Sequence, residues 1–152
     1  MALLNITKIR LPAVVLGAVL LIAACADNSP DALLTKAQDA RDAQDPETAT
    51  IHLKNILQSN PEHIAARILL GEVSLEMADP AGAENQFRRA LELGAPLEPI
   101  QLPLARAILQ QGRFHDVLEF LLEHDPQQPD EIAVSLQLRG EAHYALRHLE
   151  QA

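Results

Sequence analysis

An all-α chain of stacked helix–turn–helix units, carried behind an N-terminal signal peptide, is the fold this sequence predicts. Three observations predict it. Ala and Leu dominate an apolar fraction of 48%, while aromatic residues make up 3% and tryptophan is absent. Ala and Leu favour helix, whereas strands favour β-branched and aromatic side chains. Small and bulky residues recur at a spacing of 34 or 35 through most of the chain. The first 26 residues carry the polarity of an exported protein's leader rather than that of a folded core.

The leader comes first. Lys8 and Arg10 are the only charges before Cys25, and residues 11–26, LPAVVLGAVLLIAACA, are uncharged. That run falls short of the roughly 18 to 20 apolar residues needed to span a bilayer. A basic start, an apolar middle and small residues at the exit describe a signal peptide. Cys25 is the single cysteine, which excludes an internal disulfide and a multi-cysteine zinc site. The quartet Ile22-Ala23-Ala24-Cys25 resembles the bacterial lipobox, an aliphatic residue and two small ones before the cysteine. The resemblance implies that Ile22, Ala23 and Ala24 are read by the signal peptidase, that the Cys25 thiol receives a diacylglycerol, and that cleavage and acylation follow at its amine. Several acyl chains matter, because one chain anchors only marginally and stable attachment takes at least two. Ala26 after the cysteine, rather than Asp, implies sorting to the outer membrane of a Gram-negative bacterium, with Asp27 one place further on. Residues 1–24 are thus read as leader and 25–29 as lipidated cysteine and tether.

The repeat governs the rest. Small residues stand at Ala37, Gly71, Ala105 and Gly140, with spacings of 34, 34 and 35. A second series is Ala49, Ala83, Val117 and Ala152, and a third is Leu53, Phe87 and Leu121. Small residues let helix backbones approach, and the bulky residue four places after each Ala or Val shares its helix face. Ser-Pro-Asp at 29–31, Asp-Pro-Glu at 45–47 and Asn-Pro-Glu at 60–62 each offer a capping side chain, a proline for the first helical position and an acid near the positive helix end. Asp-Pro-Ala at 79–81 and Gln-Pro-Asp at 128–130 are weaker versions. Together these signals predict helices over 31–43, 47–58, 62–77, 81–92, 100–110, 114–123 and 130–147. Because Pro disfavours helix in the residue before it, the fifth is expected to start as late as Pro103.

The unit ARILLGEVSLEMADPAGAENQFRRALELGAP resembles the tetratricopeptide (TPR) repeat, with Leu70-Gly71 in its first helix and Ala83, Phe87 and Ala90 in its second. That family's period is also 34. The register divides the chain into repeats at 30–63, 64–97, a divergent 98–132, and the first helix of a fourth at 133–152. The apolar face of that last helix, at Leu136, Leu138, Tyr144 and Leu146, is expected to lack a partner, as in an array that continues beyond residue 152.

No chemistry is legible. The chain is acidic, −9 overall, and would reach −11 without Lys8 and Arg10. It has no basic stripe to displace phosphate counterions, which argues against nucleic-acid binding. Six histidines show no metal-ligand spacing and are expected on the solvated surface. There is no GxSxG and no P-loop, and the charged segment FRRALE at 87–92 reads as a solvated helix edge rather than a phosphate site. The expectation is a non-enzyme without catalytic residues, metal, cofactor or small-molecule substrate. Stacked TPR units form a concave groove lined by the first helix of each pair. Register then implies a peptide groove at Gln38, Asp42, Glu72, Glu76, Arg106, Gln110, Glu141 and Tyr144, mostly acidic or amide, for a protein or peptide segment of some basic character. The Lys and Asn of the subtype that clamps a terminal carboxylate are missing.

The phrasing IHLKNILQSNPEHIAARILLGEVSLEMADPAGAENQFRRALELGAP, continued by LPLARAILQQGRFHDVLEF, is similar to the TPR-repeat lipoprotein of the PEP-CTERM/exosortase exopolysaccharide system. The resemblance implies a periplasm-facing, lipid-anchored scaffold serving exopolysaccharide production or export and the sorting of tagged proteins. The alternative is a TPR lipoprotein assisting outer-membrane protein or pilus assembly.

Overall fold

The computed structural model describes residues 28–151. Cys25, the lipobox residues Ile22, Ala23 and Ala24, and Ala152 lie outside them. Seven helices follow one another among the described residues: α1 (Pro30–Asp42), α2 (Pro46–Ser59), α3 (Ile64–Glu76), α4 (Pro80–Glu92), α5 (Glu98–Gln110), α6 (Phe114–Glu123) and α7 (Pro129–Glu150). No strand occurs among them. The all-α expectation therefore holds.

Local chemistry starts most of these helices. Ser29 Oγ accepts from the Ala32 N–H (3.3 Å), Asp45 Oδ1 from Thr48 (3.0 Å) and Asp79 Oδ1 from Gly82 (2.9 Å), each followed by a proline at the first helical position. These bonds satisfy amides that the first turn leaves without intrahelical acceptors. Asp-Pro-Ala, the weaker signal, thus caps as fully as Asp-Pro-Glu.

Asn-Pro-Glu behaves differently, which corrects the expected start of the third helix. Residues 60–63 form a turn in which His63 N–H donates to the Asn60 carbonyl at 3.2 Å. Arg67 holds that turn by donating to the Pro61 carbonyl from Nε and Nη2, at 2.9 and 2.6 Å. His63 itself caps α3, its Nδ1 accepting from Ala66 at 3.2 Å. Three histidines depart from the solvated-surface expectation: His63 is a half-buried cap, half-buried His52 has its Nδ1 enclosed, and half-buried His124 packs edge-on against Phe120 at 4.9 Å.

The fifth helix also starts earlier than expected, at Glu98, and runs through Pro103. Pro99 stands in the first turn, where its missing N–H costs nothing. Pro103 removes one intrahelical bond, but the turn before it is held by packing. Ile100 is fully buried, and buried Gln101 donates from Nε2 to the His124 carbonyl at the end of α6. Tertiary contacts outweigh the local preference of the residue before proline.

Among the described positions of the repeat series, all but exposed Gly140 are core. Ala37, Ala105, Ala49, Ala83, Val117, Leu53, Phe87 and Leu121 are all inaccessible to solvent. One apolar cluster joins α1, α2 and α3 and another joins α4 to α7, with Gly71 of α3 under the Phe87 ring of α4 as a link between them. A polar link lies within the second cluster's half of the chain. Buried Glu84 on α4 accepts from Gln111 Nε2 (2.7 Å), Arg88 Nε (2.8 Å) and Arg113 Nη1 (2.8 and 2.9 Å), tying α4 to the turn between α5 and α6. Burial pushes the Glu84 carboxyl up, but the hydrogen bonds from Gln111, Arg88 and Arg113 outweigh it and hold it below the ordinary carboxylate range.

Candidate functional site

Helix order produces a trough. The odd-numbered helices touch one another in sequence, α1 with α3, α3 with α5 and α5 with α7, while among the described residues no even-numbered helix touches another. Helices that close up on one side and splay on the other make a curved double layer. The odd helices line its inner, concave face.

Two hollows adjoin one another there. In the first, about 520 Å³, Gln38, Asp39, Arg41 and Asp42 of α1 face Ala65, Ile68, Leu69 and Glu72 of α3. In the second, about 330 Å³, Leu75 and Glu76 of α3 face Leu102, Pro103 and Arg106 of α5, with Arg41 and Glu72 forming the shared wall. Each hollow has an apolar floor and a charged rim. The α1, α3 and α5 helices hold these side chains because each is locked in the core through fully buried Ala37, Val73 and Ala105.

Arg41 organises the wall. Its Nη1 donates to Glu72 Oε2 at 2.5 Å and its Nε to Glu76 Oε1 at 2.7 Å. Burial works against the guanidinium charge, and the bonds and proximity of Glu76 and Glu72 outweigh it, so its pKa moves above the ordinary arginine value. Glu72 and Glu76 are therefore paired carboxylates rather than free ones. By contrast, Asp39 and Asp42 have no ion pair or side-chain hydrogen bond among the described residues, and neither does Arg106.

Of the positions that register implies, the structure gathers Gln38, Asp42, Glu72, Glu76 and Arg106 around these two hollows. Gln110, Glu141 and Tyr144 are exposed but line neither. Glu141 accepts from Gln137 at 2.9 Å, and the Tyr144 ring meets His148 edge-on at 4.3 Å. Sequence reasoning missed Arg41 and Asp39. A signal for Arg41 was present: 34 residues on stands Leu75, and 34 further Leu109, so a cation occupies a register position that is otherwise apolar. The segment 87–92 is only in part the solvated edge expected: Phe87 and Ala90 are buried in the core, while Arg88 pairs with Glu84 and Arg89 with Glu92. Among the described residues no three His, Cys, Asp or Glu side chains gather as a metal site would require.

Residues 40–96, from the last turn of α1 to the turn after α4, match the family model described as tetratricopeptide repeat. No curated protein matches the chain. Repeats of this type generally bind protein partners, and their fold is typically a non-enzymatic scaffold.

Proposed function

We propose that this TPR-type helical solenoid is a lipid-anchored, periplasm-facing scaffold that binds a protein segment in its concave trough and serves exopolysaccharide production or export together with the sorting of PEP-CTERM proteins. The observation that carries the binding role is the pair of adjoining hollows on the odd helices, apolar at the floor and charged at the rim, on an array of repeats of the matching type. The pathway rests on the LKNILQ and RRALELGAP phrasing of the sequence, and the anchor on Ile22-Ala23-Ala24-Cys25. Cys25 holds the chain at the membrane through its acyl groups, residues 26–29 act as the tether, and the trough presents its charged rim to the partner. Binding energy comes from apolar side chains seated on the floor, while the rim charges set partner choice and encounter rate.

A clean deletion in the source organism tests the whole reading, complemented separately with the wild-type gene and with Cys25→Ser. Extracellular polysaccharide and surface retention of tagged proteins should both fall on deletion and recover with the wild-type gene alone. If both stay normal while outer-membrane protein or pilus assembly fails, the exopolysaccharide assignment is wrong.

A further inference from the structure

We infer that the trough takes an extended peptide carrying a lysine or arginine three residues away from a large aliphatic or aromatic side chain. This rests on the trough being a peptide site, and it names the chemistry of the occupant.

The basis is how the charges are spent. Arg41 sits between the hollows with both Nη1 and Nε committed to α3, on Glu72 and Glu76. Held there, it leaves Asp39 and Asp42 on the first hollow with no counter-charge among the described residues. The wall opposite them is Ala65, Ile68 and Leu69. Such a hollow fits the stem of a lysine or arginine, whose methylenes lie on apolar surface while the cationic head reaches the carboxylates. An acidic side chain would face Asp39 and Asp42 across the same space and be repelled.

The second hollow has the opposite balance. Glu72 and Glu76 are paired with Arg41, and Arg106 brings the lining to no net charge without an ion pair of its own among the described residues. The floor is Leu75, Leu102 and Pro103. With its charges matched, an apolar side chain is what this floor selects. Spacing follows from helix packing. Adjacent helices lie about 8–10 Å apart, so neighbouring hollows are separated by about the same distance. A polyproline-type extended chain rises about 3.1 Å per residue with three residues per turn, which puts residues i and i+3 on one face about 9 Å apart.

The test is selection from random ten-residue peptides displayed on phage, panned against the chain. Counter-selection uses a chain filled at both rims by Gln38→Trp and Arg106→Trp, with helicity checked by circular dichroism. The expected winners carry Lys or Arg three residues from Leu, Ile, Phe or Tyr. As synthetic labelled peptides they should lose tenfold or more in affinity against Asp39→Asn/Asp42→Asn, and again against Leu102→Ala. They should also weaken as salt is raised. Trough-dependent winners of acidic or uncharged composition, or winners indifferent to the double Asn variant, would overturn the inference and leave the trough a peptide site. A selection that returns no trough-dependent peptide would overturn both.

Discussion

Gly71 on α3 and Gly140 on α7 occupy the same register position, two repeats apart, and they live in opposite surroundings. A Cβ placed on Gly71 would stand 2.5 Å from Phe87 Cε1, inside the fully buried ring of the next helix. A Cβ placed on Gly140 would meet nothing within 4 Å. Around Gly140 lie Leu136 and Tyr144, 60% and 67% exposed. The opposite face of the same helix is buried through Ser135, Leu138 and Ala142, so Leu138 belongs to the core and not to the open face where sequence placed it. Glycine in the middle of a helix is unfavourable by itself. Close packing against Phe87 offsets that cost at position 71, and among the described residues nothing offsets it at position 140.

The contrast can be broken or sharpened in four ways, the largest first. Phe87→Ala should destabilise the chain by about 3–5 kcal/mol, read from urea unfolding, because it empties the ring-sized space over Gly71. A loss under about 1 kcal/mol would mean that the α3–α4 contact is not a principal joint. Next, Gly71→Ala should cost about 1–3 kcal/mol, since a buried ring has nowhere to retreat. Unchanged thermal unfolding in that variant would remove the reason for glycine here.

Third comes Glu84, the polar joint between α4 and the turn that follows α5. Its folded pKa is depressed, so its stabilisation is present above the ordinary carboxyl value of 4.5 and is lost as pH falls through the lower folded value. Glu84→Gln should cost about 1–2 kcal/mol at pH 7 and progressively less as pH falls below 4.5 and through the lower folded value, where the native carboxyl also takes up its proton. A wild-type-minus-variant difference that stays flat from pH 7 down to the acid unfolding limit would contradict this. The smallest effect is Gly140→Ala, which should stabilise by roughly 0.5–1 kcal/mol through helix propensity alone. A loss comparable to that of Gly71→Ala would show that another surface covers α7 in solution.

The same two regions differ in how their first helices end. Gln44, Ala78 and Gly112 stand 34 apart and all take left-handed backbone, with φ of 59°, 56° and 75°. Asp-Pro follows the first two and caps the next helix, so α1 and α3 stop after 13 residues. At the matching place α7 has Arg147-His148-Leu149, with no glycine, cap or proline, and the helix runs on to Glu150, making 22 residues. A left-handed residue other than glycine costs about 1–2 kcal/mol, and at Ala78 the capping of α4 by Asp79 and the burial of Ala83 and Phe87 compensate.

Helix number, helix order and the identity of the buried positions were legible because each rests on local rules. Asp45, Asp79 and the prolines after them act within one turn, and the 34-residue series marks faces that bury whatever the details of packing. Placement of the trough residues was legible only in part. Register alone gave Gln38, Asp42, Glu72, Glu76 and Arg106, since residues at equivalent positions emerge on the same side. It could not give Arg41, because that residue's role depends on reaching α3 from α1, 31 and 35 positions away in the chain.

By itself, then, the sequence determined an all-helical repeat of fixed period with its small and bulky positions already assigned. Periodicity and capping need nothing beyond neighbouring residues to act. The tertiary structure decided what depends on contact across the chain. It turned Asn-Pro-Glu into a turn held by Arg67 and carried α5 back through Pro103 on the burial of Ile100. It also committed Arg41 to Glu72 and Glu76, which left Asp39 and Asp42 without an ion pair among the described residues. In each case the free energy of packing or pairing with a distant element exceeds the small local preference it overrides, and a local reading of the chain contains no measure of that distant element.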